Sequence, residues 1–217
     1  MKKLPKAILF DADGTLYDSE HLNFALNQHI ARHFYAFDFT WELYDTHVRR
    51  GSKRSHEVLQ AHGINADYET YQSRKLKIFQ SVTVNQLAPM PGLLPFLNWC
   101  KNQSVKCVVV SAAGRGYVVP SLKALGIKDF FEILVTHEDI GLSVKPHPRP
   151  YRLGLKRAGV SADQAIAIED TDKGVSSAQA AGIFCAAIRN DANSSTELAK
   201  ANLVIKNYKE LKSYLSR

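Results

Sequence analysis

The sequence predicts an α/β fold, a Rossmann-like parallel sheet core into which an all-helical segment is inserted. Three observations predict it. Beyond residue 104, short apolar runs alternate with helical stretches, the pattern of a parallel sheet covered on both faces. A first apolar run, Ile8-Leu9-Phe10, stands apart from the others. The helically spaced stretch between them, about seventy residues, is too long for an ordinary connection in a compact domain. Finally, 217 residues at 45% hydrophobic and 23% charged suit one well-buried core with a modest insertion.

Each element follows from local pattern. The opening run is short, apolar and bounded by turn residues, which reads as a buried strand. Past Asp18 the period changes to that of a helix, as in Leu22, Ala25, Leu26 and Ile30. Thr40 caps a helix that begins Trp41-Glu42-Leu43. Gly51 and Gly63 divide the stretch up to Val82 into several helices, and Pro89-Met90-Pro91-Gly92 closes it. Strands are then expected at 105–110, 132–136, 165–168, 184–188 and 203–205. Helices are expected at 117–125, 150–158, 174–181 and 208–214, the first three stopped by Gly126, Gly159 and Gly182. Residues 1–17 and 89–217 therefore form the core, and 18–88 the helical insertion.

Composition narrows the function classes. No run of eighteen apolar residues exists, so no membrane span is expected. The basic start, Met1-Lys2-Lys3-Leu4-Pro5-Lys6, lacks the apolar segment and cleavage site of a secretory signal. Cys100, Cys107 and Cys185 are an odd set without metal-like spacing. Cys107 and Cys185 sit in apolar runs as buried hydrophobes, and a reduced, cytoplasmic protein is expected. The net charge of +7 favours an anionic partner, a phosphate ester or a nucleic acid. The basic residues are spread along the chain, however, and the densest stretch, 72–77, reads as a solvated helix face.

The chemistry gathers at strand ends, beyond which ligands bind in such sheets. The first strand runs into Asp11-Ala12-Asp13-Gly14. Side chains alternate along an extended chain, so Asp11 and Asp13 leave on the same side, where like charges repel unless a cation or proton lies between them. The alternatives are a metal-assisted site, with one Asp attacking and the other moving a proton, and a plain Asp-rich turn. The strand at 105–110 ends in Ser111-Ala112-Ala113-Gly114-Arg115, where a hydroxyl and free N–H groups suit a phosphate oxygen, or the serine merely caps a helix. After 132–136 comes Lys145-Pro146-His147-Pro148-Arg149-Pro150. There a lysine is mounted on a loop stiffened by three prolines and aimed at a fixed anion, or simply exposed, as His147 and Arg149 are expected to be. The strand at 165–168 ends in Glu169-Asp170. With Asp11 this pair makes an oxygen-rich pocket suited to Mg²⁺, or else it complements a helix dipole. One acidic strand end is easily accidental; two, with a hydroxyl and a lysine at the remaining ends, are not.

In this order, Asp11-x-Asp13-Gly14-Thr15, Ser111, Lys145-Pro146 and Glu169-Asp170-x-x-x-Gly174 resemble the haloacid dehalogenase (HAD) superfamily. The insertion after the first motif, Pro91-Gly92, and Lys145-Pro146-His147-Pro148 resemble its phosphoglycolate phosphatase and β-phosphoglucomutase-like branch. The resemblance implies a HAD-like catalytic core, a helical cap at 18–88, and a cytoplasmic Mg²⁺-dependent phosphatase working through an aspartyl-phosphate. By that resemblance Asp11 attacks phosphorus, and Asp13 protonates the leaving oxygen and then activates water. Asp11, Asp170 and the Asp13 carbonyl hold Mg²⁺, with Glu169 beside them. Ser111 and the Ala112 N–H bind the phosphoryl group, Lys145 neutralises charge, and Arg54 resembles a cap phosphate-binding arginine.

Asp13 argues for phosphoryl transfer, because the dehalogenases of the superfamily lack an acid there. Asn23 stands where β-phosphoglucomutases carry a histidine, so hydrolysis is expected over the alternative, a sugar-phosphate mutase. Ala112 and Ala113 replace the more usual Asn or Ser, which removes a side-chain contact and keeps the backbone donors. The expected substrate is a small phosphate monoester: a sugar phosphate, phosphoglycolate or a nucleotide-like metabolite. Tyr17, His21, Arg50 and Arg54 are candidates for its leaving group. No nucleic acid or membrane partner is expected, a basic nucleic-acid-binding module being the remaining alternative, and the chain is expected to be a monomer or dimer.

Overall fold

A computed structural model describes residues 4–51, 53–193 and 198–216. Its strands are β1 (Ala7–Phe10), β2 (Tyr17–Asp18), β3 (Ala88–Pro89), β4 (Lys106–Val110), β5 (Ile133–Val135), β6 (Ala165–Glu169), β7 (Phe184–Ile188) and β8 (Leu203–Ile205). The helices are α1 (Glu20–Tyr35), α2 (Trp41–Leu43, continued by a π-helical stretch Tyr44–Arg49), α3 (Ser55–Ala61), α4 (Tyr68–Ser81) and α5 (Leu93–Asn102). Then come α6 (Arg115–Ala124), α7 (His137–Ile140), α8 (Arg149–Ala158), α9 (Asp172–Ala180) and α10 (Tyr208–Leu215). Two compact units emerge, Met1–Asp18 with Ala88–Arg217, and Ser19–Leu87.

The first unit is built on a six-stranded, all-parallel sheet in the order β5-β4-β1-β6-β7-β8. Strand β1 is central, with Leu9 opposite Val108 of β4 and Ala167 of β6. Alternation sends its side chains to two layers. Ala7 and Leu9 join a buried cluster with Val108, Val110, Ala167 and Ala187 of the sheet and Tyr151, Leu155, Val175 and Ala178 of α8 and α9. Phe10 points the other way, its ring centre 6.3 Å from Phe96, 5.6 Å from Phe131 and 6.3 Å from Tyr208. Every β1 side chain is fully buried, each large one stabilising the fold by roughly 1.5–3 kcal/mol. Because the chain moves from β1 outward in both directions, the sheet reverses order at β1, a switch point beyond whose carboxyl end ligands bind in open sheets of this kind.

Several features were not expected from sequence, the short helix α7 among them. Helix α5 follows Gly92 directly, and it buries Leu93, Phe96, Leu97 and Cys100 along one face. The two-residue strands β2 and β3 pair antiparallel, Tyr17 with Pro89 and Asp18 with Ala88, where the chain leaves and re-enters this unit. All three cysteines are free and buried. Among the described residues no helix is long and apolar enough to cross a membrane.

The Ser19–Leu87 unit is helical. Thr40 begins α2 as expected, its hydroxyl accepting the Leu43 N–H at 3.3 Å. Asp67 does the same for α4, accepting the Thr70 N–H at 2.8 Å. Its interior is aromatic, with Tyr71 fully buried and its hydroxyl donating to Asn27 Oδ1 at 2.9 Å.

Candidate active site

The strand ends bring the charged residues of the first unit together. Asp11 follows β1 directly, its N–H bonded to the Ile168 carbonyl of β6 at 2.9 Å, and only 8% of the residue is exposed. Glu169 closes β6 and is fully buried, and Asp170 follows it at 7% exposure. One carboxylate oxygen from each of these three lies within 4.8 Å of the others. Lys145 reaches in from the proline-rich loop. Its ammonium donates to Asp11 Oδ1 and Glu169 Oε1, both at 2.5 Å, and to the Val110 carbonyl at 2.9 Å.

Electrostatics sets the character of the site. Burial, opposed by Lys145 and reinforced by the Glu169 charge, pushes the Asp11 carboxyl up to about 8. Burial, then the charges of Asp11 and Glu169, hold Asp170 well above the usual carboxylate range. Burial disfavours the charged form of Lys145, but Asp11 and Glu169 outweigh it and keep the amine above its ordinary value. Three carboxyl groups thus face one ammonium in a buried site, and a divalent cation would offset the negative charge they carry when ionised. Glu169 Oε2 is buried without a hydrogen-bond partner. That orphaned oxygen, with the all-oxygen donor set, fits a hard dication.

Two glycines make the close packing possible. A Cβ on Gly14, whose φ of +73° also disfavours L side chains, would lie 2.1 Å from Asp170 Oδ2. A Cβ on Gly174 would lie 1.9 Å from Glu169 Oε2. Ser111 follows β4 directly at 1% exposure, and its Oγ accepts the Ala113 N–H at 3.0 Å, while Ala112 is exposed beside it. Asp13 is half-buried in the turn that carries it to a bridge with Tyr17, and its carboxylate is not one of the clustered three. Arg54 belongs to the other unit, where its guanidinium lies 4.8 Å from the Tyr68 ring centre. There too, His21 stacks on Trp41 at 5.4 Å and Arg50 pairs with Asp45 at 2.7 Å. Tyr17 is packed in the core at 2% exposure. His147 and Arg149 are exposed, as expected.

A family model described as haloacid dehalogenase-like hydrolase matches residues 8–188. The chain belongs to that family. Pyrophosphatase PpaX of Bacillus pumilus is 28% identical over 83% of this chain and 82% of its own. Validoxylamine A 7'-phosphate phosphatase of Streptomyces hygroscopicus is 28% identical over 95% and 96%, and a phosphoglycolate phosphatase of Nitrosococcus oceani is 27% identical over 100% and 99%. Among solved structures, CbbY of Rhodobacter sphaeroides in complex with xylulose-(1,5)bisphosphate superposes with a TM-score of 0.85 at 22% identity, covering 96% of both chains. A β-phosphoglucomutase of Clostridium difficile gives 0.75 at 22% identity over 99% and 100%. At that identity the likeness concerns the haloacid dehalogenase-like fold alone.

Within this family fold, Tyr151 and Asn190 also touch the acidic cluster. The Tyr151 hydroxyl, on α8, donates to Glu169 Oε1 at 2.6 Å, and its ring lies 5.2 Å from the Lys145 ammonium. Asn190 Nδ2 donates to Asp170 Oδ2 at 2.9 Å and to the Gly14 carbonyl at 3.0 Å. Tyr151 carries no sequence signal beyond its place in an amphipathic helix. Asn190 carries one: it lies two residues past the end of β7, on the same sheet edge as the other site residues.

Proposed function

We propose that the chain is a Mg²⁺-dependent phosphoric monoester hydrolase that acts on a small phosphorylated metabolite through an aspartyl-phosphate. The observation that carries this reading is the convergence of Asp11, Glu169, Asp170 and Lys145 at the switch point of the sheet. Phosphatase names among relatives that span nearly the whole chain support it.

Asp11, Glu169 and Asp170 are the side chains that would hold the metal, with the Asp13 carbonyl. When bound, Mg²⁺ supplies positive charge that keeps the carboxylates ionised and screens the phosphate. A carboxylate oxygen of Asp11 attacks phosphorus, and the bond from phosphorus to the ester oxygen breaks. Asp13 gives its proton to the departing oxygen. The Asp13 carboxylate then takes a proton from water as that water attacks phosphorus, and the bond to Asp11 breaks. Inorganic phosphate leaves and both acids return to their starting states. Ser111 and the Ala112 N–H hold the non-bridging oxygens, and Lys145 offsets charge between Asp11 and Glu169. In this reading the Ser19–Leu87 unit is the cap that selects the leaving group, with Arg54 among its substrate contacts.

Phosphate release is to be measured over a panel of sugar phosphates, phosphoglycolate and nucleotides, with Mg²⁺ and with EDTA. Hydrolysis of at least one that EDTA abolishes is expected. Isomerisation of a hexose 1-phosphate given a bisphosphate primer, without free phosphate, would replace hydrolysis by a mutase reaction. No turnover of any phosphate ester would remove the reading.

A further inference from the structure

We propose that Asn190 is a positioning residue that locks the Asp170 carboxylate into the cation-binding arrangement by tying it to the loop of Asp11. This rests on the reading that the acidic cluster takes up Mg²⁺. Asn190 lies beyond the β7 end, and its single amide spans two loops remote in sequence. Nδ2 donates to Asp170 Oδ2 at 2.9 Å and to the Gly14 carbonyl at 3.0 Å. Oδ1 accepts the N–H groups of Ala192 at 2.9 Å and Asn193 at 3.0 Å. The orientation is fixed by chemistry, because the carboxylate and carbonyl only accept while the two N–H groups only donate. A flipped amide would face oxygen to oxygen and nitrogen to nitrogen, so all its bonds would fail together.

A second asparagine stabilises the same loop. Asn193 Nδ2 donates to the Asp170 carbonyl at 3.1 Å and to the Ile188 carbonyl at 2.9 Å. The backbone of Asp170 is thereby fixed by Asn193, and its carboxylate by Asn190. The carboxylate needs this restraint, because its oxygen lies within 4.8 Å of those of Asp11 and Glu169, and like charges so close repel. Without the amide, rotation away from its neighbours lowers that repulsion and disperses the three oxygens. Gly14 completes the arrangement, since a Cβ there would lie 2.9 Å from Asn190 Nδ2. Partners of this kind, which orient a ligand without touching the metal, typically contribute about 10–100-fold to metal affinity.

The test is calorimetric titration of MgCl₂ into wild type and Asn190→Ala without substrate, with KM and kcat for p-nitrophenyl phosphate then taken at saturating Mg²⁺. The Kd for Mg²⁺ is expected to rise about 10–100-fold in the variant, while KM at saturation stays near that of wild type. A purely structural role would lower the melting temperature and leave that Kd unchanged, which would overturn the proposal. Should Asn190→Ala fail to fold, Asn190→Ser serves in its place. Its hydroxyl can still accept from the Ala192 and Asn193 N–H groups, but it is too short to reach Asp170. A wild-type protein that takes up no Mg²⁺ would refute the metal reading itself, and this inference with it. Tight binding by wild type and variant alike would overturn the inference alone.

Discussion

Gly174→Ala separates two opposite expectations for one methyl group. Gly174 lies in the first turn of α9 with an ordinary helical backbone, so on propensity alone alanine should stabilise the helix by up to about 1 kcal/mol. The structure reverses the sign. The new Cβ would fall 1.9, 2.0 and 2.3 Å from Glu169 Oε2, Cδ and Oε1, overlapping the whole carboxylate. Glu169 has nowhere to retreat, since it is fully buried and held by Lys145 and Tyr151. Moving it breaks both hydrogen bonds to a charged group, each worth about 1.5–3 kcal/mol. With the helix gain subtracted, the net loss is about 2–5 kcal/mol. For a chain of this size each kcal/mol lowers the melting temperature by about 2–4 °C. Thermal unfolding followed by circular dichroism should therefore show a fall of about 4–20 °C. A melting temperature equal to or above that of wild type would refute the close contact between α9 and Glu169.

Two further perturbations test the electrostatics. Lys145→Ala leaves Asp11 and Glu169 facing each other without their ammonium. Urea unfolding in EDTA should show a loss of about 3–5 kcal/mol; an unchanged midpoint would refute the buried ion pairs. Asp139 is held below the usual carboxylate range by its hydrogen bond from Arg157, despite partial burial, and by Thr136. A lowered folded pKa stabilises above the unfolded value, and that contribution is lost as pH falls through the folded one. Asp139→Asn should thus melt lower than wild type near neutral pH, with the gap narrowing below about pH 4, and a gap independent of pH would contradict the pairing.

The parallel sheet was legible because each of its strands after β1 is an apolar run closed by turn residues, and because the distance from β1 to β4 exceeds any ordinary loop. Helix α5 was not legible, since Pro91-Gly92 and Pro95 punctuate its start and hide the spacing of Leu93, Phe96, Leu97 and Cys100. The β2–β3 pair is too short to leave a period. In the site, Asp11, Glu169 and Asp170 declared themselves as acids at the ends of apolar strands and Lys145 by its proline-rich loop, and the structure gathers these four. Tyr151 and Asn190 were missed for different physical reasons. The Tyr151 ring is ordinary helix core, and only its hydroxyl meets Glu169. Asn190 acts across a separation of 176 residues from Gly14, a relation created by strand order. Reading the β7 end as the other strand ends were read would have reached it.

The central claim is that the Asp11 carboxylate accepts the phosphoryl group. Its most direct test is to quench the enzyme with acid during turnover of the best substrate in Mg²⁺ and to map the modified peptide by mass spectrometry. A phosphoryl group on Asp11 in wild type, absent from Asp11→Asn together with all phosphate release, is the predicted result. Phosphate release by Asp11→Asn at the wild-type rate, or a phosphoryl group found on Ser111 instead, would contradict it.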